Sequence, residues 1–137
     1  MTMAPRAPGA NTCPCGSGKT LAACCGRFIS GGELPATAEQ LMRSRYTAYV
    51  LGDRAYLAQT WHPDHFDPAL SIEPDTQWLG LDVKRHVQQD VDHATVEFVA
   101  RYRLGGRGHR LHELSRFVRE GGRWLYLDGV DQGKSDR

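Results

Sequence analysis

The chain has no apolar run long enough to cross a bilayer, and no apolar core follows the single arginine near its start. Neither membrane insertion nor a secretory leader is expected from such a sequence. It has almost no excess charge, since 17 Lys and Arg against 16 Asp and Glu leave a formal net charge of +1. No overall field draws it to nucleic acid or an anionic membrane. Arginines do crowd the last third, but no aromatic run interleaves with them as an RNA-binding sheet requires. They read as a solvated, charged sheet face. Internal repeats and low-complexity segments are absent, and no cysteine follows Cys25. What remains is an ordinary globular composition, 40% hydrophobic and 24% charged over 137 residues, enough for one modest domain with an appendage.

All four cysteines stand within thirteen residues, as Cys13-Pro14-Cys15, eight intervening residues, then Cys24-Cys25. Two thiol pairs on either side of a short turn are what a closed, tetrahedral zinc site needs. Gly16 and Gly18 permit the tight reversal that aims both pairs at one centre. Disulfides are the competing reading, but they belong to secreted chains. A cytoplasmic location, where thiols stay reduced, fits metal binding instead. Four thiolates on a divalent ion carry two excess negative charges, and Lys19 and Arg27 flank them as counter-charges. Gly16-Ser17-Gly18-Lys19-Thr20 mimics the end of a phosphate-binding loop. The glycine required five positions before Gly18 is Cys13, however, and no apolar strand precedes it, so nucleotide binding is excluded.

Hydropathy patterning divides the rest. A helical turn is expected at Leu21–Cys25, with Phe28 and Ile29 packing the knuckle onto the domain. Thr37 and Gln40 form a capping box for a helix whose apolar stripe is Leu41, Tyr46, Tyr49 and Val50, closed by Gly52. Asp53 caps a second helix through Gln59, and a short helix or turn is expected near Asp64–Leu70. From Trp78 the period becomes two: Leu79, Leu81 and Val83 alternate, as do Val96, Phe98, Ala100 and Tyr102. Asp90–Asp92, Gly105-Gly106 and Gly121-Gly122 mark turns, giving four strands with the third at Arg110–Arg119 and the fourth at Arg123–Leu127. Helices first and strands after imply an α+β fold with helices on one face of an antiparallel sheet. Residues 1–12 and 131–137 are expected to be disordered ends, 13–26 the zinc knuckle, 27–35 a linker and 36–130 the α+β domain.

Several polar residues are candidates for a pocket. His62, in Trp61-His62-Pro63, has the side chain that titrates near neutrality, although a helix-terminal structural role is the simpler reading. Glu113 and Ser115 share one face of the third strand, and the pattern leaves open whether that face is concave. Trp124, Tyr126 and Asp128 are expected to share a face, with Asp128 paired to Arg116 or Arg43. Arg43 and Arg45, two apart on the first helix, point in different directions. Tyr46 and Tyr126 are the candidate hydrogen-bond donors.

Residues Cys13–Gly26 resemble the SEC-C motif, the zinc hairpin found in the tail of the SecA translocation motor. The resemblance implies Cys13, Cys15, Cys24 and Cys25 as the ligands of Zn2+. Leu41-Met42-Arg43-Ser44-Arg45-Tyr46, Thr60-Trp61-His62-Pro63, Trp78-Leu79-Gly80-Leu81, Val96–Tyr102, Ser115-Arg116-Phe117 and Trp124–Gly129 resemble the bacterial YchJ family of uncharacterised proteins. That resemblance implies a curved, cone-shaped sheet similar to nuclear transport factor 2, enclosing a pocket. It also implies two functions. In the first, the knuckle is non-catalytic and docks a protein or ribonucleoprotein partner, as the SecA knuckle does with the SecB chaperone; four cysteines leave no open position for chemistry. In the second, the cone binds or converts a small molecule, as related isomerases and dehydratases do, through His62, Glu113, Asp128 and Tyr46 or Tyr126. The knuckle is expected to fold on its metal apart from the main core. A monomer is expected, because arginines on the outer sheet face oppose self-pairing.

Overall fold

Two side-chain caps fix where the main helices begin. In the computed structural model, which describes residues 12–132, Thr37 Oγ1 accepts from the backbone N–H of Gln40 at 3.1 Å and starts α2 (Ala38–Leu51). The Gln40 side chain returns one residue further than a capping box, accepting from Ala36 N at 2.7 Å. Gly52, in the left-handed region at φ 76°, ends the helix. Asp53 then accepts from Tyr56 N at 3.0 Å and starts α3 (Arg54–Gln59). A further short helix, α1 (Gly26–Ile29), follows the cysteines directly. It occupies the first part of the expected linker, because Phe28 is buried with Ala48, Tyr56 and Leu57. Residues 64–70 form turns, one of the two forms expected there.

Four strands make one antiparallel meander in the order β1 (Gln77–Asp90), β2 (His93–Leu104), β3 (Arg107–Glu120) and β4 (Arg123–Asp131). The Gly105-Gly106 and Gly121-Gly122 pairs all have positive φ, between 60° and 82°, which makes them two-residue hairpin turns of the kind that match strand twist. The first turn has no glycine. There the Asp90 carboxylate accepts from Asp92 N at 2.9 Å and meets the His93 ring at 2.9 Å. β3 and β4 outrun their expected ends, since their extra residues pair with β2 and β3.

Two register shifts alter which side chains face inward. One lies between Trp78 and Gly80, so Leu79 is turned out and half exposed while Trp78 packs inward against Tyr102. The alternation expected from Leu79 therefore begins at Trp78 instead. The second lies between Arg116 and Phe117, which pair with Asp128 and Tyr126 and skip Leu127. It places Tyr126 inside against Phe117 and sends Asp128 to the opposite face beside Arg116. The expected common face for Tyr126 and Asp128 is thus corrected: an extra residue between them breaks the period of two.

α2 is buried on more sides than one stripe, including Ser44, Arg45 and Thr47. It is sandwiched among three partners. Leu41, Met42 and Tyr46 join Val96, Phe98, Ala100 and Phe117 of the sheet in one core. Ser44 Oγ meets the Tyr56 hydroxyl of α3 at 2.7 Å. On its third side lie the cysteines, all buried and part of the same core cluster. Truncating Leu41 or Leu57, both fully buried, would cost about 2–5 kcal/mol. The segment after α3 is pinned to β4, with Tyr126 N donating to Thr60 O and His62 N to Tyr126 O, each at 2.8 Å. Among the described residues, no helix is long and apolar enough to cross a membrane. The expected disordered ends lie mostly outside the described residues. Thr12, which bridges Thr20, and Asp131, which ends β4, are ordered.

Candidate functional site

The four sulfurs form a compact cluster, all within 4.8 Å of one another. Cys15 Sγ and Cys24 Sγ are 3.6 Å apart, and Cys24 Sγ and Cys25 Sγ are 4.0 Å apart. These are not disulfide distances. They match the edge of roughly 3.8 Å in a tetrahedron of sulfurs about 2.3 Å from a central ion. Positive φ at Gly16 (84°) and Gly18 (87°) supplies the reversal between the pairs. Without a cation the thiols cannot all ionise. Cys15 and Cys25 are pushed up, first by their hydrogen bonds to Cys13, and Cys13 is lowered by those same bonds. This donor set could hold a thiophilic metal ion, with all four positions filled by protein.

Arg27 and Arg43 clasp the cluster from outside. Arg27 Nε donates to Cys24 O at 3.1 Å, and Arg43 Nη1 donates to Cys15 O at 2.9 Å while its Nε binds Glu39 at 3.0 Å. Lys19 is exposed on the loop and, as expected, flanks the cluster, sharing a surface recess with Cys24, Cys25, Arg27 and Arg43. Nothing in the local sequence marks Arg43 as part of this site. It lies 28 residues from Cys15, and only the packing of α2 on the knuckle brings them together. Thr47 of α2 adds a contact at 3.6 Å to Cys13 Sγ.

Between α2 and the inner face of the sheet lies a cavity of about 390 Å³. Its walls are mainly aromatic: Tyr46 and Tyr49 from α2, Trp61 from the segment after α3, and Trp78, Phe98, Tyr102, Phe117 and Tyr126 from the sheet. Ser71, Glu73 and Thr76 form its rim. Two charged groups reach the interior, Arg45 and Glu113. Arg45 is only 7% exposed, donates through Nη1 to Leu57 O at 2.8 Å and Thr60 Oγ1 at 2.7 Å, and lies 4.4 Å over the Tyr126 ring. Burial lowers its pKa. Glu113 accepts from Ser115 Oγ at 2.7 Å and from the Tyr126 hydroxyl at 3.4 Å. Burial raises Tyr126 strongly and pushes Tyr46 up to about 12, so both phenols are neutral donors.

Glu113, Tyr46 and Tyr126 therefore meet at the cavity, and Glu113 and Ser115 occupy the concave face. His62 and Asp128 do not. His62 Nδ1 accepts from Asp64 N at 3.1 Å and its Nε2 meets Glu120 at 3.0 Å, outside the cavity. Asp128 takes both Nε and Nη2 of Arg116 at 2.7 Å. The spacing of Arg43 and Arg45 puts them on different faces of the helix without deciding which one turns inward. The approach of Arg45 to the sheet depends on α3 and β4, which no local pattern encodes.

A family model described as the middle NTF2-like domain of YchJ matches residues 37–129, and the SEC-C motif matches residues 11–27. A UPF0225 protein of Cupriavidus metallidurans is 64% identical, with 85% of this chain and 86% of that one aligned. Another, from Ralstonia nicotianae, is 59% identical over 94% of this chain and 98% of its own. Two solved structures are similar. The solution structure of a SEC-C motif containing protein from Rhodopseudomonas palustris has a TM-score of 0.79 and 38% identity, covering 86% of this chain and 96% of that one. The crystal structure of one from Psychrobacter arcticus has a TM-score of 0.72 and 30% identity, covering 90% and 84%.

Proposed function

The chain belongs to the YchJ (UPF0225) family, and from that starting point we propose that it is a zinc-stapled, cytoplasmic binder of a small molecule. In this reading zinc fills the four-thiolate site as a structural ion, because a closed sulfur set leaves no position for water or substrate. Reduced thiols suit the cytoplasm. The working site is the cavity. The observation that carries this is Arg45, a buried guanidinium on the cavity wall with no carboxylate at ion-pair distance among the described residues. An apolar pocket with a few convergent polar groups is the usual form of a ligand site. Binding is favoured over catalysis because His62 and Asp128, two of the expected acid–base groups, are engaged outside the cavity.

A thermal-shift screen of the zinc-loaded chain against small acids, bases and neutral aromatics tests this. A raised midpoint that grows with ligand concentration is expected. A flat response from every class would overturn it.

A second reading keeps the knuckle as a docking module for a protein or ribonucleoprotein partner. The exposed loop 16–20, carrying Lys19, supports it, since these residues are not consumed by the core. Recovery of the same partners from lysate by wild type and by a C24S/C25S variant would remove that reading.

A further inference from the structure

We propose that the cavity selects a planar aromatic carboxylic acid bearing a ring hydroxyl or amine, with the carboxylate on Arg45 and the ring donor on Glu113. This rests on the reading of the cavity as a ligand site and adds the chemical class.

The anionic end follows from how Arg45 is used. Its two hydrogen bonds both leave from Nη1. Nε and Nη2 have no partner among the described residues, and they are not among the occluded polar atoms that lack one. Both therefore keep accessible surface, and the open space that Arg45 lines is the cavity. The Nε–Nη2 edge presents two parallel donors, the geometry that a carboxylate accepts in bidentate fashion. A buried cation with no ionised partner is costly, and an anion supplied by a ligand offsets that cost. Glu113 is not that partner: it forms no ion pair with Arg45, and Ser115 and Tyr126 hold its Oε2. A phosphate fits less well, since a dianion beside Glu113 would meet a single cation.

The aromatic body follows from the walls. Tyr46 meets Trp78 at 5.5 Å and Trp78 meets Tyr102 at 5.1 Å, while Trp61 meets Tyr126 at 5.4 Å. A flat ring can stack on such surfaces at little conformational cost. A cavity of about 390 Å³ accommodates one ring or a fused pair. The donor follows from Glu113, whose two recorded bonds both end on Oε2. Its Oε1 is free to accept from a ligand hydroxyl or amine.

Trp61 and Trp78 line the cavity, so tryptophan fluorescence of the zinc-loaded chain is a direct readout. The probes are 4-hydroxybenzoate, its uncharged amide and unsubstituted benzoate. 4-Hydroxybenzoate is expected to bind at least about tenfold more tightly than the amide and several-fold more tightly than benzoate. In R45K the preference for acid over amide should fall, because an ammonium cannot form the bidentate pair. Should R45K fail to fold, E113Q carries the donor half: it should strengthen benzoate binding and narrow the advantage of the hydroxyl. Equal binding of acid and amide by wild type would overturn the proposed class while leaving the cavity as a binding site. No binding of any probe, charged or uncharged, would count against both.

Discussion

Arg45 and Glu113 both meet one tyrosine, the first on its ring face and the second at its hydroxyl. The guanidinium lies 4.4 Å over the Tyr126 ring, and the Tyr126 hydroxyl reaches Glu113 Oε2 at 3.4 Å. The arrangement keeps opposite charges in one cavity without letting them neutralise each other by direct contact. It depends on the register shift that turns Tyr126 inward, and on Thr60 O, which accepts from Tyr126 N.

Gly129 should matter more than its place near the end of β4 suggests. A methyl group there would collide with the Glu113 carboxylate and its adjoining carbons. Gly129→Ala is expected to cost about 1–3 kcal/mol, as overpacking does, and to displace Glu113 from Ser115. Urea unfolding checks it, and an unchanged midpoint would show that Glu113 moves aside freely.

The Arg116–Asp128 pair is well formed but half exposed. D128N is expected to cost less than about 1 kcal/mol at neutral pH after solvent screening, and to leave ligand binding unaltered. Hydrogen bonding to Arg116 lowers the Asp128 pKa. A depressed folded-state pKa contributes stability above the ordinary carboxylate range, lost as pH falls through the folded value. Wild type and D128N should therefore converge in acid and in high salt. A difference that persists at pH about 2 would contradict the pairing as its source.

Arg43 should support the metal without touching it. Its bond to Cys15 O fixes the ligand loop, so R43M should weaken zinc about tenfold, in the range of outer-shell substitutions. Competition with a chromophoric chelator measures this. Unaltered affinity would mean that the loop holds its shape alone.

The outer sheet face should disfavour self-association. Arg101 and Arg103 alternate along β2 and so share its outer face, and both side chains are exposed. Like charges so placed repel across a sheet-to-sheet dimer. Sedimentation at moderate salt is expected to give the 15.3 kDa monomer; twice that mass would refute the assignment of this face.

Much of the architecture was legible because it rests on local chemistry. Thr37 and Asp53 cap helices, and glycine pairs turn hairpins, wherever the rest of the chain lies. The cysteine spacing likewise announced the cluster. The cavity was less legible, for a physical reason. Single extra residues beside Trp78 and Tyr126 shift which side chains face inward, and alternation gives no warning of them. Thus Leu79 was expected inside, and Asp128 was grouped with Tyr126. His62 looked chemically apt, but Pro63 and the turn to Asp64 direct it toward Glu120. Arg45 could not be separated from Arg43 by spacing alone, since only long-range packing decides which one meets the knuckle and which the cavity.

The knuckle was also expected to stand apart, with little of its own to bury. Its sulfurs instead pack in the main core against α2, the helix that carries Arg45, Tyr46 and Tyr49 to the cavity. Metal binding is therefore expected to influence the shape of the cavity through this one helix.

The most direct test of this account is the affinity of 4-hydroxybenzoate before and after zinc is stripped with a chelator, on chain confirmed by far-UV circular dichroism to retain its sheet. Stripping is expected to lower the thermal midpoint by about ten degrees and to weaken the probe by tenfold or more, both restored by added zinc. Identical affinity for the loaded and stripped forms would contradict the claim that the thiolate cluster staples the binding site.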